Sequence, residues 1–435
     1  MLNKLITTLA SVLWASASYA GMQTDRPYQE LGRAQHFNLR VPGYVLGIEK
    51  RSIYKEDKTL LEGIQNAERP YEPRFIEPVA AGGEGEKTQD KVFKRATSDL
   101  ISKVMLVTHI TKSVTYEGQH YSQYLYNAYG EDLDGQYNFA ESFAKVDLMF
   151  ADMAMQLKQA KEQGEPFTHV VVMSMGWNND QVESLYRYNT IIKNVQQEAL
   201  AQQQAFKPLV ICFTWPSVWG GVTDSVIFRT AKHLASYVNK TDDADELGYT
   251  WGNWVVNKKI PDALAEAGLL TAKPKVVLIG HSFGARFLSR ALFSAPYINA
   301  QFAAQNTVDV FLGLQGAFSL RRFVADAGVE GSPYAGFTSL PGKVVLTSST
   351  HDTSNLAALW SANAGGPQGL SYARKTPQVF NLVNWGNNGS ELTAAADKVT
   401  LVDASEMVKR ESDKIDAHND ILDAQMAKLI WAVIH

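Results

Sequence analysis

Residues 275–286 read Lys-Val-Val-Leu-Ile-Gly-His-Ser-Phe-Gly-Ala-Arg, and this stretch decides the fold. A short apolar run rich in β-branched residues, 276–279, is followed at once by Gly-His-Ser-Phe-Gly at 280–284. Apolar side chains then repeat at four-residue steps from Phe287 onward, which is the period of a helix. The pattern predicts a strand, a sharp turn and a helix, with Ser282 in the turn.

The turn around Ser282 has the G-x-S-x-G pattern of a nucleophile elbow. In such an elbow the serine occupies a strained turn that keeps its hydroxyl clear of the sheet, and the glycines let the strand and the helix approach closely. The strand before and the helix after are the context that this motif requires. We therefore predict that Ser282 is a nucleophile; the alternative is an ordinary βα turn that carries a serine. The neighbouring His281 is predicted to pack in the interior rather than to act as a base.

A serine nucleophile needs an imidazole that accepts its proton, and the partners are expected in the chain order serine, acid, histidine. The histidines after Ser282 are His351, His418 and His435. His418 lies in the polar sequence Asp-Ala-His-Asn-Asp, between the last predicted strand and the C-terminal helix. It is therefore the predicted base.

The acid that orients this histidine should follow an intermediate strand. Asp352 comes shortly after the apolar run at 343–346 and is the predicted acid. Asp403, directly after the run at 399–402, is an alternative acid for His418. A second alternative pairs His351 as base with Asp403 as acid, although this reverses the usual order.

A serine mechanism also needs two N–H donors for the oxyanion of the tetrahedral intermediate. One is expected from the residue after the nucleophile, which is Phe283. The turn at Gly176 and Trp177 follows an earlier predicted strand and supplies the second, from the N–H of Trp177. The glycine in this turn allows the backbone to approach a substrate closely.

Strand-like runs and helical patterns alternate along most of the chain. This alternation predicts an α/β fold with a mostly parallel central sheet and helices on both faces. A tyrosine-rich hairpin or pair of edge strands is expected at 116–129. Two long connections, at about 215–262 and 353–397, are predicted lid-like insertions. Tryptophans recur in these segments, so Trp215 and Trp219 are predicted to line an apolar substrate pocket.

The N-terminal residues 1–20 combine a lysine, an apolar stretch and small residues, and are predicted to be a signal peptide cleaved after Ala17 or Ala20. Their apolar stretch is shorter than the ~20 residues of a membrane-spanning helix. The expected location is therefore the periplasm or the medium, with no transmembrane segment in the mature chain. Residues 21–90 are predicted to form an arm and linker, and residues 91–435 the main domain.

Composition and missing motifs limit the remaining classes of function. A net charge of −4 without a basic cluster argues against a nucleic-acid partner. The single cysteine, Cys212, excludes an intramolecular disulfide and a cysteine-based metal cluster. The acidic run 242–246 fails the EF-hand pattern because Leu247 takes a ligand position, and no metalloprotease or P-loop motif occurs. We therefore expect neither a metal nor a nucleotide cofactor.

Two further segments extend the pattern: residues 213–217 read Phe-Thr-Trp-Pro-Ser, and residues 176–178 read Gly-Trp-Asn. With the elbow, they make the chain resemble the α/β-hydrolase superfamily over about residues 100–435. More narrowly, it is similar to a set of largely uncharacterised bacterial hydrolases with F-S-W-P-S after one strand and H-G-[aromatic]-N after the preceding one. This chain departs from that pattern at Thr214, in place of serine, and at Met175, in place of histidine.

The resemblance implies an exported serine hydrolase that cleaves a small-molecule or lipid-like carboxylic ester through an acyl-enzyme on Ser282. One alternative is an amidase or peptidase with the same triad. The other is a non-catalytic binding protein that keeps the fold, for which Met175 is the indication.

Overall fold

The computed structural model describes the central sheet, most of its helices and the loops around the elbow. The described residues are 38–50, 105–128, 142–176, 179, 181–215, 241, 243–293, 306–324, 334, 336, 342–352, 362–386, 392, 397–409 and 417–435. The predicted signal peptide at 1–20, with both cleavage positions, lies outside them, as do Trp177 and Trp219.

A sheet of ten strands runs through the described part of the chain, in the order β3-β2-β1-β5-β4-β6-β7-β8-β10-β9. The strand β2 runs antiparallel to both of its neighbours, and the remaining neighbouring pairs are parallel. The predicted mostly parallel sheet is therefore confirmed. The strands are β1 Gly43–Lys50, β2 Met105–Tyr116, β3 Gln119–Asn127, β4 His169–Ser174, β5 Pro208–Thr214, β6 Lys275–His281, β7 Val308–Leu314, β8 Lys343–Ser348, β9 Phe380–Asn384 and β10 Val399–Asp403.

Helices cover both faces of this sheet, as predicted. Alternate residues of one strand enter two separate cores, because successive side chains of a strand point to opposite faces. In β4, Val170 and Val172 belong to one core, whereas Val171 and Met173 belong to the other. The first core holds α1, α3, α4 and α5, and the second holds α2 and α6. The helices are α1 Ser142–Glu162, α2 Gln181–Ala201, α3 Ile260–Glu266, α4 Phe283–Phe293, α5 Pro367–Lys375 and α6 Ala424–Ile434.

A hairpin is present as predicted, but it begins before the expected range 116–129: β2 pairs antiparallel with β3, and only the end of β2, the turn and β3 lie within that range. Its two-residue connection is Glu117-Gly118, and both residues have positive φ, 50° and 75°. Such a turn matches the right-handed twist of the flanking strands. The hairpin places β3 at one edge of the sheet.

One strand of the sheet comes from residues 21–90, which were predicted to form an arm and linker before a main domain at 91–435. The strand β1 belongs to the former range, yet it lies inside the sheet, between β2 and β5. The sequence signal is weak because glycines interrupt this strand at 43 and 47. Gly47 is required there, since a Cβ at this position would overlap the imidazole of His109.

The described part of the first predicted insertion packs against the elbow helix α4. Residues 243–266 are helical, with two π-helical turns at Gly248–Gly252 and Val255–Lys259. A Cβ at Gly248 would lie 2.5 Å from the Cβ of Arg290. Trp251 is fully buried in the same core as α4. This half of the insertion therefore belongs to the interior, and residues 216–240 lie outside the described range.

Buried histidines make the stability of this fold sensitive to acid. Burial lowers the pKa of His109 and that of His169 to about 4, from 6.5. Between pH 6.5 and about 4 the unfolded chain binds protons that the folded chain does not. The free energy of unfolding therefore decreases as the pH is lowered. The expected loss between pH 7 and about 4.5 is ~2–3 kcal/mol per histidine. Urea unfolding of the wild type and His109→Gln at both pH values checks this, since the variant should lose less. An equal loss in both proteins contradicts it.

Candidate active site

Ser282 adopts the backbone conformation expected of a nucleophile elbow. Its φ is 56°, in the left-handed region that non-glycine residues rarely occupy. The strain is held in place from both sides: the Ser282 N–H donates to the carbonyl of Leu314 at 3.0 Å, and the Ser282 carbonyl accepts from Ala317 N at 3.1 Å. Strain of this kind collects at functional sites, because only a surrounding structure that over-determines the turn maintains it.

The two glycines of the elbow are each required by a close approach of backbone. A Cβ at Gly280 would lie 2.5 Å from the Cα of Ala285, in the first turn of α4. A Cβ at Gly284 would overlap the carbonyl oxygen of Ser174, at the end of β4. Steric exclusion of side chains therefore explains both glycines of the motif.

The predicted donor loop after β4 lies against the nucleophile. A Cβ at Gly176 would lie 2.5 Å from the Cβ of Ser282 and 3.0 Å from its Oγ. Phe283 is the first residue of α4, where the aligned peptide dipoles favour negative charge. The backbone at Gly176 and the start of α4 thus flank the serine hydroxyl. Trp177, the other predicted donor, lies outside the described residues.

Buried hydrogen bonds fix the donor loop at Met175. The Met175 N–H donates to the hydroxyl of Tyr188 at 3.1 Å, and this hydroxyl donates to the Phe213 carbonyl at 2.5 Å. Burial raises the pKa of Tyr188 well above 10, so the phenol keeps its proton and remains a donor. On the other side, Nε1 of Trp215 donates to the Met175 carbonyl at 3.0 Å. Side chains from α2 and from the residue after β5 therefore hold the loop in place.

Trp215 was expected in the wall of a substrate pocket. In the structure it is 3% exposed, belongs to the core, and anchors the donor loop through its indole N–H. Asn179 adds a hydrogen bond from Nδ2 to the Gly176 carbonyl, 3.0 Å long. Tyr188, which the sequence analysis did not single out, holds the same loop; a lone tyrosine in an amphipathic helix carries no signal that separates it from ordinary packing.

Two of the predicted catalytic side chains lie in contact. Nδ1 of His418 is 2.7 Å from Oδ2 of Asp352, and both residues are buried. Because a carboxylate only accepts, Nδ1 carries a proton, which leaves Nε2 of a neutral ring as an acceptor. This tautomer is the one that a general base for a serine needs. The His418 ring also lies beside His281, directly before Ser282, with ring centroids 4.7 Å apart.

The alternative acid, Asp403, and the alternative base, His351, have different surroundings. Oδ1 of Asp403 accepts from the backbone N of Ser405 at 3.2 Å, and Oδ2 pairs with Arg374 at 3.6 Å. His351 is exposed on the loop that carries Asp352. Among these candidates, the structure brings Asp352 to His418.

The loop that carries Asp352 is tied to its surroundings by serine hydroxyls. Oγ of Ser348 donates to the Gly366 carbonyl at 2.9 Å, and Oγ of Ser349 donates to the Val408 carbonyl at 2.5 Å. The carboxylate is thus presented from a rigid turn, as orientation of an imidazole requires.

The loop that carries His418 is the short 3₁₀ segment Ala417–Leu422, and side chains of α2 hold its far side. Arg187 donates to Oδ1 of Asn419 at 2.8 Å, and Asn194 donates to the Leu422 carbonyl at 2.8 Å. Sequence reasoning missed these residues, because a polar side chain on an amphipathic helix is usually solvated.

A side chain at position 176 should damage the site more than the fold. We expect Gly176→Ala to lower the catalytic rate by at least ~10²-fold, the effect of losing one oxyanion donor, because the added methyl group displaces the loop from Ser282. Gly336→Ala is the control, since no atom of the described residues lies within 4 Å of a Cβ there. Steady-state kinetics and thermal melting of both variants decide the matter. Similar rates in the two variants contradict this placement of the loop.

Within the described ranges, no group of three or more His, Cys, Asp and Glu side chains is arranged to hold a metal ion. Of the acidic run 242–246, Asp243, Asp245 and Glu246 are buried in the helical segment against α4. No described helix combines the length and apolar character needed to cross a bilayer.

Comparisons with known proteins add little to this geometry. No protein-family model matches the chain, and no curated protein matches it. Among solved structures, the chain is similar to the crystal structure of a candidate cell surface hydrolase from Lactobacillus plantarum WCFS1. The two share 12% sequence identity with a TM-score of 0.30, over 61% of this chain and 92% of the other. So loose a likeness carries no functional argument; the α/β fold rests on the sheet topology described above.

Proposed function

We propose that the chain is a serine hydrolase that cleaves carboxylic esters through an acyl-enzyme on Ser282. The observation that carries the proposal is the left-handed backbone of Ser282, held between the donor loop at Gly176 and the end of β7. The contact between His418 and Asp352 supports it, because it is the base–acid pair that activates a serine.

In the proposed reaction, Oγ of Ser282 attacks the ester carbonyl while Nε2 of His418 takes the hydroxyl proton. Asp352 stabilises the imidazolium that forms. The N–H groups of Phe283 and Trp177 bind the oxyanion of the tetrahedral intermediate. The intermediate then collapses, the leaving alcohol takes the proton from His418, and an acyl group remains on Ser282. Water, activated by the same histidine, releases the acid.

The proposed substrate is a small-molecule or lipid-like ester with an apolar part. Trp219, in the first predicted insertion, supports this, as an aromatic side chain suits an apolar acyl or alcohol group. We further propose export to the periplasm or the medium, supported by the apolar N-terminal stretch before Ala17 and Ala20.

Matched substrates test the proposal. p-Nitrophenyl esters of increasing acyl length and the corresponding p-nitroanilides are compared, with Ser282→Ala as background. We expect ester hydrolysis above background and, for good substrates, an initial burst of p-nitrophenol equal to the enzyme concentration, because the acyl-enzyme accumulates. A preference for the anilides indicates an amidase. No turnover above background on any substrate favours a binding protein and contradicts the proposal.

A further inference from the structure

The histidine of the elbow, His281, connects the nucleophile strand to the loop that carries His418. Its Nε2 lies 3.0 Å from the backbone carbonyl oxygen of His418. The two rings are tilted by 42° with centroids 4.7 Å apart, and His281 is 1% exposed. The side chain was predicted to pack in the interior; it is buried, and it also makes a directed hydrogen bond.

The alternation of β6 explains why this side chain reaches that loop. Val277 and Ile279 point into the core formed with α2 and α6. His281, two residues further along the strand, points to the same face. Ala417 and Ile421, on either side of His418 in its loop, belong to that core as well. The strand that ends at the Ser282 turn therefore directs the side chain of His281 toward the loop that carries His418.

The chemistry of this contact fixes the state of the His281 ring. A carbonyl oxygen only accepts, so Nε2 carries the proton and Nδ1 does not. Nδ1 has no hydrogen-bond partner among the described residues. Burial, reinforced by the nearby His418 and Arg187, lowers the pKa of His281 well below 6.5. The ring is thus a neutral donor of one hydrogen bond, and that bond goes to the backbone of His418.

His281 bonds the backbone of His418 itself, whereas the two side chains of α2 bind residues further along the loop. Arg187 binds Asn419, and Asn194 binds Leu422. His281 also directly precedes Ser282 in the chain, so its hydrogen bond connects the turn of the serine to the loop that carries His418. A displacement of about 1 Å between reacting groups is enough to cost ~10²-fold in rate.

We propose that His281 is a positioning residue that sets the backbone of His418, and through it the approach of the imidazole to Ser282 and Asp352. The inference rests on the proposed serine-hydrolase function. It assigns to the second residue of the G-H-S-F-G sequence a role that a packing side chain does not have.

The test measures the rate at which a fluorophosphonate labels Ser282, as a function of pH, in His281→Leu, His281→Gln and His281→Asn. Leu fills the space but donates no hydrogen bond, Gln places an amide N–H near the position of Nε2, and Asn is too short. We expect labelling to slow about tenfold in the Leu variant, as loss of one buried hydrogen bond of ~1.4 kcal/mol predicts. Gln should retain the rate within a factor of about three, and Asn should resemble Leu.

The pH profile separates positioning from simple packing. A His418 ring that loses its contact with the Asp352 carboxylate gives up its proton more readily. The acidic limb of the labelling profile should therefore move to lower pH in the Leu and Asn variants and stay in place in the Gln variant.

His169 provides a matched control at the start of the neighbouring strand β4, opposite the strand end that carries His281. It is also a buried histidine, 4% exposed, and its Nε2 donates to the backbone carbonyl of Ile434 at 3.2 Å. We expect His169→Leu to lower the thermal midpoint while the labelling rate and its pH profile stay at the wild-type values.

The outcomes distinguish this inference from the proposed function. If the wild type is not labelled, the serine-hydrolase proposal fails, and this inference fails with it. If the wild type is labelled but the Leu and Gln variants are labelled at the same rate, whether that rate is fast or slow, His281 only fills space and the inference is overturned. Should the Leu variant not fold, the comparison of Gln with Asn decides, and equal rates in these two overturn the inference.

Discussion

Replacing Asp352 with Asn is expected to lower kcat/KM by about 10⁴-fold, with little change in the thermal midpoint. The carboxylate holds the proton on Nδ1 of His418 across 2.7 Å. In the proposed reaction this leaves Nε2 as the nitrogen that accepts the serine proton. An asparagine at this position presents either an N–H group, which forces the opposite tautomer, or an uncharged oxygen, which stabilises the imidazolium less. Because Asp352 is only 3% exposed, solvent screens this difference weakly.

Asp403→Asn is the matched control for this prediction. Asp352 follows β8, and Asp403 is the last residue of the neighbouring parallel strand β10. The described partners of Asp403 are Ser405 and Arg374, whose side chain is 57% exposed. We expect the rate of this variant to stay within a factor of about three of the wild type, since exposed ion pairs contribute little. Steady-state kinetics on the best ester substrate decide the matter. A large loss in Asp403→Asn alone contradicts the assignment of the acid.

Removing the carboxylate of Asp245 should have the largest effect on stability, because it lies among buried guanidinium groups. Its oxygens lie 2.6 Å from Arg286, 3.3 Å from Arg290 and 3.3 Å from Arg322. All four side chains are at most 4% exposed. Burial raises the pKa of Asp245, but the guanidinium groups, Arg286 foremost, outweigh burial and hold this pKa well below its usual range.

We expect Asp245→Ala to lower the free energy of unfolding by ~3–5 kcal/mol, because it removes the carboxylate shared by three buried cations. The elbow should be disturbed as well. Arg286 lies on α4 one turn beyond Ser282 and also donates to the Ala317 carbonyl at 3.4 Å, while Ala317 N bonds the Ser282 carbonyl. Loss of activity should therefore accompany the loss of stability.

Asp262→Ala is the control for Asp245→Ala. Asp262 pairs with Lys258 at 2.7 Å, at a spacing of four residues, and the two side chains are 40% and 34% exposed. Removal of such a pair should change the free energy of unfolding by less than ~0.5 kcal/mol. Urea unfolding of both variants at neutral pH measures the difference. If the two variants lose similar amounts, the buried cluster does not carry the stability assigned to it.

The elbow could be predicted from the sequence because its information is local. The strand, turn and helix around Ser282 occupy consecutive residues, and the glycines at 280 and 284 are needed by contacts inside this unit and with β4. The hairpin of β2 and β3 was predictable for the same reason. In contrast, β1 finds its parallel partner β5 more than a hundred residues away, and Gly43 and Gly47 hide its pattern.

The choice between Asp352 and Asp403 needed the structure. Each lies at or just beyond the carboxyl end of a parallel strand, and the carboxyl ends of β8 and β10 lie side by side, so order along the chain does not separate them. What separates them is geometry. Asp403 is the last residue of its strand, whereas Asp352 lies four residues beyond the end of β8, on a turn that brings its carboxylate to His418.

Sequence reasoning could not predict the role of Trp215. It also could not predict which side chains hold the loop that carries His418. An indole ring in a loop after a strand fits a pocket wall as well as a core, and only the hydrogen bond to Met175 shows what it holds. Arg187 and Asn194 lie on the face of α2 toward the histidine loop, a pairing across more than 200 residues.

Covalent labelling shows most directly whether Ser282 is an activated nucleophile. Folded wild-type protein is incubated with a fluorophosphonate and analysed by intact mass and peptide mapping, beside Ser282→Ala and heat-denatured wild type. We expect one adduct per chain, located on Ser282, and no adduct in the variant or in the denatured protein. A folded wild-type protein that remains unlabelled, or an adduct on another residue that persists in Ser282→Ala, contradicts the assignment of Ser282 as the nucleophile.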